Sequence, residues 1–130
     1  MKEVIIVITI LSIILGGAIW AKKQISYGNE KLISKLEELK KDMKTKEGEN
    51  IWEKTKRKSE EIYREWGDIS KTWSVIVLHE ELDLIENSLI RMNSNVEMKE
   101  FKRAEEELDI SIFLLDHILE KEKLSIKNIL

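Results

Sequence analysis

The sequence predicts an all-α protein in which one N-terminal membrane helix precedes a bundle of long helices. Residues 4–21 form an uncharged apolar run, VIIVITILSIILGGAIWA. The chain has no proline, and after that run its only glycines are Gly28, Gly48 and Gly67, so little interrupts helix formation. Apolar residues then recur at steps of three and four over most of the remaining length, which is the spacing of one helix face.

The apolar run is long enough to cross a bilayer. At about 1.5 Å per residue, residues 4–21 span roughly 27 Å, close to the ~30 Å thickness of the hydrocarbon layer. Val4 begins the run and Trp20 lies at its end, followed by Lys22 and Lys23. Amphipathic and cationic side chains of this kind are typical of a membrane interface. We therefore predict that the run contacts lipid directly.

The chain divides into a membrane anchor over residues 1–23 and a helical domain over residues 24–130. A cleaved signal peptide is the alternative to an anchor, because Gly16 and Ala18 suit a cleavage site. The uncharged run continues past Ala18, which favours an anchor that stays attached. We predict a single-pass protein of the cell membrane.

Two observations disagree about the side of the membrane that holds the domain. The lysines that follow the run outnumber Lys2, which by the positive-inside rule favours the cytoplasm. The signal-like start of the chain favours the opposite side, and we expect an extracytoplasmic domain.

The first predicted helix of the domain covers residues 29–46. Its apolar residues form a narrow seam of the coiled-coil type: Leu32, Leu36, Leu39 and Met43. Such a seam suits packing within the chain or self-association of two chains. The next residues supply a turn, with Asn50 as a helix cap.

The second predicted helix covers residues 50–92 and carries the strongest periodic signal. Its apolar or small residues alternate at steps of three and four: Trp52, Thr55, Ser59, Ile62, Trp66, Ile69, Trp73 and Ile76. We expect the tryptophans to be core residues that face the leucine seam. An unbroken helix of roughly 65 Å would run back into the bilayer. Either Gly28-Asn29 tilts the first helix, or Gly67-Asp68 breaks the second and gives four helices in place of three.

The last predicted helix covers residues 95–122 and ends in a tail, residues 123–130. Ser94 and Glu97 make a capping box at its start. Its apolar residues share one face: Phe101, Ala104, Leu108, Ile112, Leu115, Ile118 and Leu119. Successive antiparallel hairpins follow from this helix order.

Charge is uneven along the domain. Residues 22–64 hold 13 basic and 9 acidic side chains, whereas residues 65–130 hold 8 basic and 15 acidic ones. The basic part is suited to anionic lipid headgroups, and the acidic part is a poor partner for nucleic acid. We expect no nucleic acid among the partners. The absence of cysteine excludes disulfide bonds.

The stretch HEELDLIEN, residues 79–87, begins like the His-Glu-x-x-His motif of zinc enzymes, but Asp83 replaces the second histidine. His79 and Asp83 are spaced to chelate a cation, yet two ligands do not make a site. The acidic residues of the last helix lie opposite its apolar face, and a hairpin turning near residue 94 keeps His79 and His117 roughly 12 Å apart. We predict a solvated polar face and no metal, with His79 and Asp83 as the only candidate ligands.

Catalysis has little support in the sequence. It has no cysteine nucleophile, no glycine-rich phosphate loop and no serine placed beside a histidine and an acid. We expect neither a cofactor nor enzymatic activity.

The second half of the chain resembles a known family. Trp66 and Trp73, the stretch HEELDLIENSLIRM at 79–92 and the stretch HILEKEKLSIKNIL at 117–130 resemble small single-pass membrane proteins of spore-forming Gram-positive bacteria, a family whose domain has no assigned function. The resemblance implies a membrane-anchored helical domain and brings no activity with it. It singles out seven residues: Trp73, His79, Glu80, Asp83, His117, Glu122 and Asn128. Together with Asn87, which lies beside the acidic stripe on a helical wheel, they are our candidates for interaction or for buried polar contacts between helices.

We therefore expect a non-enzymatic interaction or structural protein of the membrane, with a protein partner or self-association. Its acidic face around Glu80 and Asp83 is the predicted docking site. The alternative is a domain that senses a ligand or a metal through His79 and Asp83.

Overall fold

The computed structural model describes residues 1–45 and 51–129, except for the side chains of residues 125, 126, 128 and 129. The described part is helical and contains four helices: α1 Lys2–Thr45, α2 Ile51–Trp73, α3 His79–Glu97 and α4 Phe101–Ile129. The all-α prediction is confirmed. Asn50, the predicted cap of the second helix, lies outside the described residues, as does the turn around it.

The four helices form an up-down-up-down bundle. Helix α1 packs against α2 and α4, and α3 packs against the same two helices, while the backbones of the other pairs stay more than 8 Å apart between Cα atoms within the described residues. Each helix therefore lies between its two neighbours in a ring around one core, as in other antiparallel four-helix bundles. The helices enclose the leucine seam of α1, whose residues Leu32, Leu36 and Leu39 are fully buried. Self-association through this seam would require the bundle to open.

Helix α1 joins the apolar run to the bundle without a break. We expected a helix to begin at residue 29, with a possible tilt at Gly28-Asn29, but α1 passes straight through that pair. The reason is that the seam extends toward the N-terminus at the same steps of three and four, through Asn29, Ile25 and Ala21. Before Ala21, the apolar residues of α1 are exposed. Within the described residues α1 alone has a stretch long and apolar enough to cross a membrane, a property that it would share with a signal sequence.

The predicted helix over residues 50–92 is wrong, because the chain breaks at residues 74–78. It does not break at Gly67, which lies inside α2. Three consecutive β-branched residues, Val75, Ile76 and Val77, occupy the break, and β-branching lowers helix propensity. The buried face also changes there, since the tryptophan stripe of α2 ends and a new apolar stripe begins on α3. This break lets the chain turn before it would run alongside the exposed apolar part of α1.

The second turn also lies later than predicted. We expected it at residues 93–95 with a capping box at Ser94 and Glu97, but α3 continues to Glu97 and the turn occupies residues 98–100. The helix continues because Val96 is buried in the core. It ends where Lys99 adopts a left-handed backbone with φ 60°, a conformation that glycine usually supplies at the end of a helix.

The later turn changes the pairing of α3 with α4. Lys121 forms an ion pair with Glu81 at 2.8 Å, so His79 lies opposite the part of α4 near residue 121 and not near residue 109. The predicted register, with a turn near residue 94 and His79 and His117 roughly 12 Å apart along the helix axis, is therefore wrong. Helix α4 starts at Phe101 and extends to Ile129, so residues 123–129 of the predicted tail are part of the helix.

Candidate functional site

The tryptophan core lies at the end of the bundle nearest the apolar run. Trp66 and Trp73 are both 1% exposed, and their rings meet edge to face, with centroids 5.8 Å apart and planes at 88°. The indole N–H of Trp73 donates a hydrogen bond to the backbone carbonyl of Gln24 at 3.3 Å. A Cβ atom on Gly28 would lie only 2.9 Å from the Cζ2 atom of Trp73. Glycine is therefore what lets the indole lie directly on α1.

Trp52 does not share this environment. It is half-buried, and its indole N–H donates to the carbonyl of Val96 at 2.9 Å. Lys56 and Lys99 place their ammonium groups 5.3 Å and 4.7 Å from its ring centroid, within the range of cation–π attraction. The expectation that three tryptophans face the leucine seam thus holds for Trp66 and Trp73, whereas Trp52 joins α2 to the end of α3.

Three of the buried polar residues, Asn29, Ser88 and Ser111, are ones that the sequence analysis did not predict to be buried. The Nδ2 atom of Asn29 donates to the carbonyl of Leu115 at 2.9 Å, and its Oδ1 atom has no hydrogen-bond partner within the described residues. The hydroxyl of Ser111 donates to that of Ser88 at 3.0 Å. Buried polar pairs of this kind favour one arrangement of the helices over others. A signal was available for Asn29, because it lies three residues before Leu32 and so continues the α1 seam.

Ion pairs bind α1 to its neighbours. Glu65 of α2 lies between Lys31 and Lys35 of α1, with 2.6 Å between Lys31 Nζ and a carboxylate oxygen. Burial acts to raise the pKa of Glu65, but hydrogen bonds from the two lysines act in the opposite direction and prevail, so its pKa lies below the usual value. On the other side, Lys40 pairs with Asp109 of α4 at 2.8 Å.

The acidic face of α3 is open to solvent. His79 is the first residue of α3, and His79, Glu80, Asp83 and Asn87 are all exposed. Acidic residues in a first helical turn are stabilised by the helix dipole, which accounts for Glu80 locally. Neither Glu80 nor Asp83 forms an ion pair within the described part of the chain. All four side chains are therefore solvated, and none of them makes a buried polar contact between helices. Their role in binding a partner stays a prediction.

A cleft of about 270 Å³ separates α2 from α3 beside this face. Its polar lining brings together residues from both helices: Ser70, Lys71, Ser74, His79, Asp83 and Glu86. The candidate ligands His79 and Asp83 thus share one cleft with a lysine and two hydroxyl groups. Residues 1–45 and 51–129 contain no group of three or more His, Asp or Glu side chains placed to hold a metal ion.

The remaining predicted site residues lie apart from this cleft. His117 is exposed on α4 and stacks on Phe113, with ring centroids 6.4 Å apart. Glu122 lines a second cleft, of about 250 Å³, beneath the turn at residues 74–78. The side chain of Asn128 lies outside the described part of the structure. Of the predicted site residues whose side chains the structure describes, only Trp73 is in the core.

Fold and surface together define a four-helix bundle built onto an exposed apolar helix. A family model described as a domain of unknown function, DUF4363, matches residues 19–129, and the chain belongs to that family. The match starts close to Ala21, the residue at which α1 enters the core. A search of curated proteins and a search of solved structures each found no match.

Proposed function

We propose that this protein is a membrane-anchored, non-enzymatic interaction or structural component whose bundle stands directly on the bilayer. The exposure of α1 carries the proposal. Its apolar residues from Val4 to Trp20 are exposed, and from Ala21 onward the same helix is built into the core. An apolar surface of that size is unfavourable in water, whereas a bilayer would cover it.

The exposed face of α3 supports docking of a partner protein. Glu80 and Asp83 carry charges with no ion-pair partner in the described residues, and Leu84 and Ile90 are large apolar side chains exposed on the same helix. A mixture of carboxylates and apolar side chains is complementary to a partner surface that is both basic and apolar. The partner in this proposal therefore presents lysine or arginine around an apolar centre.

Reversing the charges of this face should abolish partner recovery. In the double variant Glu80→Lys and Asp83→Lys, the face would repel a basic partner, so the captured protein should fall to background when the tagged full-length chain is purified from crosslinked membranes. The matched control is Glu60→Lys with Glu61→Lys, which reverses two exposed charges on α2. Circular dichroism of each purified variant checks that the helices remain. Equal recovery by both variants would remove the α3 face from the proposal.

The side of the membrane belongs to the same proposal. The start of the chain favours an extracytoplasmic bundle, whereas the lysines after the apolar run favour the cytoplasm. A reporter fused to the C-terminus and read on both sides distinguishes the two and also shows whether the anchor is retained.

A ligand-sensing or cation-sensing domain is the second candidate function. The observation that favours it is the cleft between α2 and α3, in which His79 and Asp83 lie with Glu86. If it senses a divalent cation, the thermal midpoint of the full chain in detergent should rise with Zn²⁺ or Mn²⁺, because binding to the folded state stabilises it. His79→Ala should remove that rise, while His117→Ala should leave it. An unchanged midpoint in both ions would exclude divalent-cation sensing.

A further inference from the structure

One end of the bundle reaches the level of the membrane interface. Asn29 of α1 contacts the carbonyl of Leu115 on the antiparallel helix α4. Nine residues back from Asn29 is Trp20, and nine residues on from Leu115 is Leu124, so the two lie at about the same height, roughly 13 Å below that contact. Helix α4 continues to Ile129, about 7 Å further in the direction of the apolar run.

The turn at residues 74–78 lies at this height too. Trp73, the last residue of α2, binds the α1 backbone through its indole N–H, so the turn begins just beyond that contact. On the other side, the ion pair between Lys121 and Glu81 places the turn opposite Leu124. Two segments that are far apart in sequence therefore meet beside the exit of α1.

The chemistry of this end differs from the rest of the domain. We call it the bundle base, and it comprises residues 20–24, 74–78 and 123–129. Val75, Leu78 and Leu124 are 76%, 62% and 59% exposed, although each is apolar. The three segments contain four lysines, Lys22, Lys23, Lys123 and Lys127. They contain no Asp or Glu, in a chain whose net charge is −3.

We propose that the bundle base is a second membrane-contact surface, in which Val75, Leu78 and Leu124 insert among the headgroups and the lysines bind anionic lipid. This rests on the proposed function, because it requires α1 to span the bilayer. Apolar side chains beside a lysine-rich belt are the composition of segments that lie in the interface, and anionic headgroups attract lysines near the surface. The bundle would then be held to the bilayer at three points and not by α1 alone.

Depth measurements on single-cysteine variants test this surface directly. The chain has no cysteine, so Val75→Cys and Leu124→Cys can each carry one environment-sensitive fluorophore in the full-length chain, reconstituted in vesicles of equal parts phosphatidylglycerol and phosphatidylcholine. Lipids with a nitroxide near the headgroup should quench both labels, because interfacial side chains lie about 5–10 Å into the headgroup and acyl boundary. Phe113→Cys is the matched control, since Phe113 is 69% exposed but lies about 16 Å farther than Leu124 from the apolar run along α4.

A fourth label separates failure of this inference from failure of the proposed function. Ile8→Cys lies in the apolar run and should be quenched by nitroxides placed deep in the acyl chains. Quenching at residue 8 with none at residues 75 and 124 would overturn the bundle base while leaving the anchor. Absence of quenching at residue 8 as well would overturn the anchor itself.

The lysines have their own test in the same vesicles. Quenching at residue 75 should be stronger with phosphatidylglycerol than in pure phosphatidylcholine, and Lys123→Glu with Lys127→Glu should abolish that difference. Lys102→Glu with Arg103→Glu reverses two exposed charges at the opposite end of the bundle and should leave the difference intact. If the label at residue 75 were quenched equally in both lipids in the chain that keeps all its lysines, the electrostatic part of the proposal would be contradicted.

Discussion

Replacing Trp73 with alanine is expected to lower the free energy of unfolding by about 3–5 kcal/mol. The indole is fully buried, contacts Trp66 and Gly28, and donates to the carbonyl of Gln24, so its removal leaves a cavity at the junction of α1 and α2. Urea melts of the full chain in mild detergent, followed by far-UV circular dichroism, measure the loss.

Two further variants show whether burial is the cause. Trp52→Ala removes the same side chain from a half-buried site and should lower the free energy of unfolding clearly less than Trp73→Ala does. Trp73→Phe keeps an aromatic ring but loses the indole N–H, and it should fall between the wild type and the alanine variant. Equal losses for Trp52→Ala and Trp73→Ala would contradict the assignment of Trp73 to the core.

Alanine in place of Gly28 and alanine in place of Gly67 should change stability in opposite directions. Both glycines lie inside helices, where alanine is favoured by roughly 0.5–1 kcal/mol. At Gly67 nothing lies within 4 Å of the added Cβ atom, so the full gain is expected. At Gly28 the Cβ atom would lie 2.9 Å from Trp73 Cζ2 and 3.0 Å from Ile69 Cγ2. Overpacking of that kind costs about 1–3 kcal/mol, so we expect a net loss.

The same urea melts measure both variants. If Gly28→Ala stabilised the protein as much as Gly67→Ala, the close approach of Trp73 to α1 would be refuted.

Helix type and buried faces could be predicted from the sequence because they depend on local spacing. The seam of Leu32, Leu36 and Leu39 and the stripe through Trp66 and Trp73 are both buried as expected. Each follows from steps of three and four along one helix, and such steps need no knowledge of the partner helix.

The turns could not be placed from the sequence because neither uses glycine or proline. Residues 74–78 contain neither residue, so the periodic spacing predicts one continuous helix over residues 50–92, although the chain turns there. At the second turn, Lys99 adopts a left-handed backbone conformation, which a lysine at that position does not predict. At the second turn, the need to bury Val96 overrides the local capping signal of Ser94 and Glu97.

The polar positions were predicted in part. Exposure of Glu80 and Asp83 followed from the helical wheel, whereas burial of Asn29, Ser88 and Ser111 did not, because a small polar residue in a seam can lie at a helix end or within the core. The bundle base could not be found either, since it joins segments near residues 22, 75 and 124 that meet only through the register of three helix pairs.

Because α1 is one unbroken helix, a tilt of its apolar run would tilt the whole bundle with it. Between Ala21 and Thr45 the helix extends about 36 Å within the bundle, and it has no hinge where it enters the core. Membrane helices respond to a thinner bilayer by tilting, and about 20° is their average tilt. With α1 in a bilayer, that angle would displace the far end of the bundle sideways by about 12 Å. A change in bilayer thickness would thereby move the surface around Trp52 relative to the membrane.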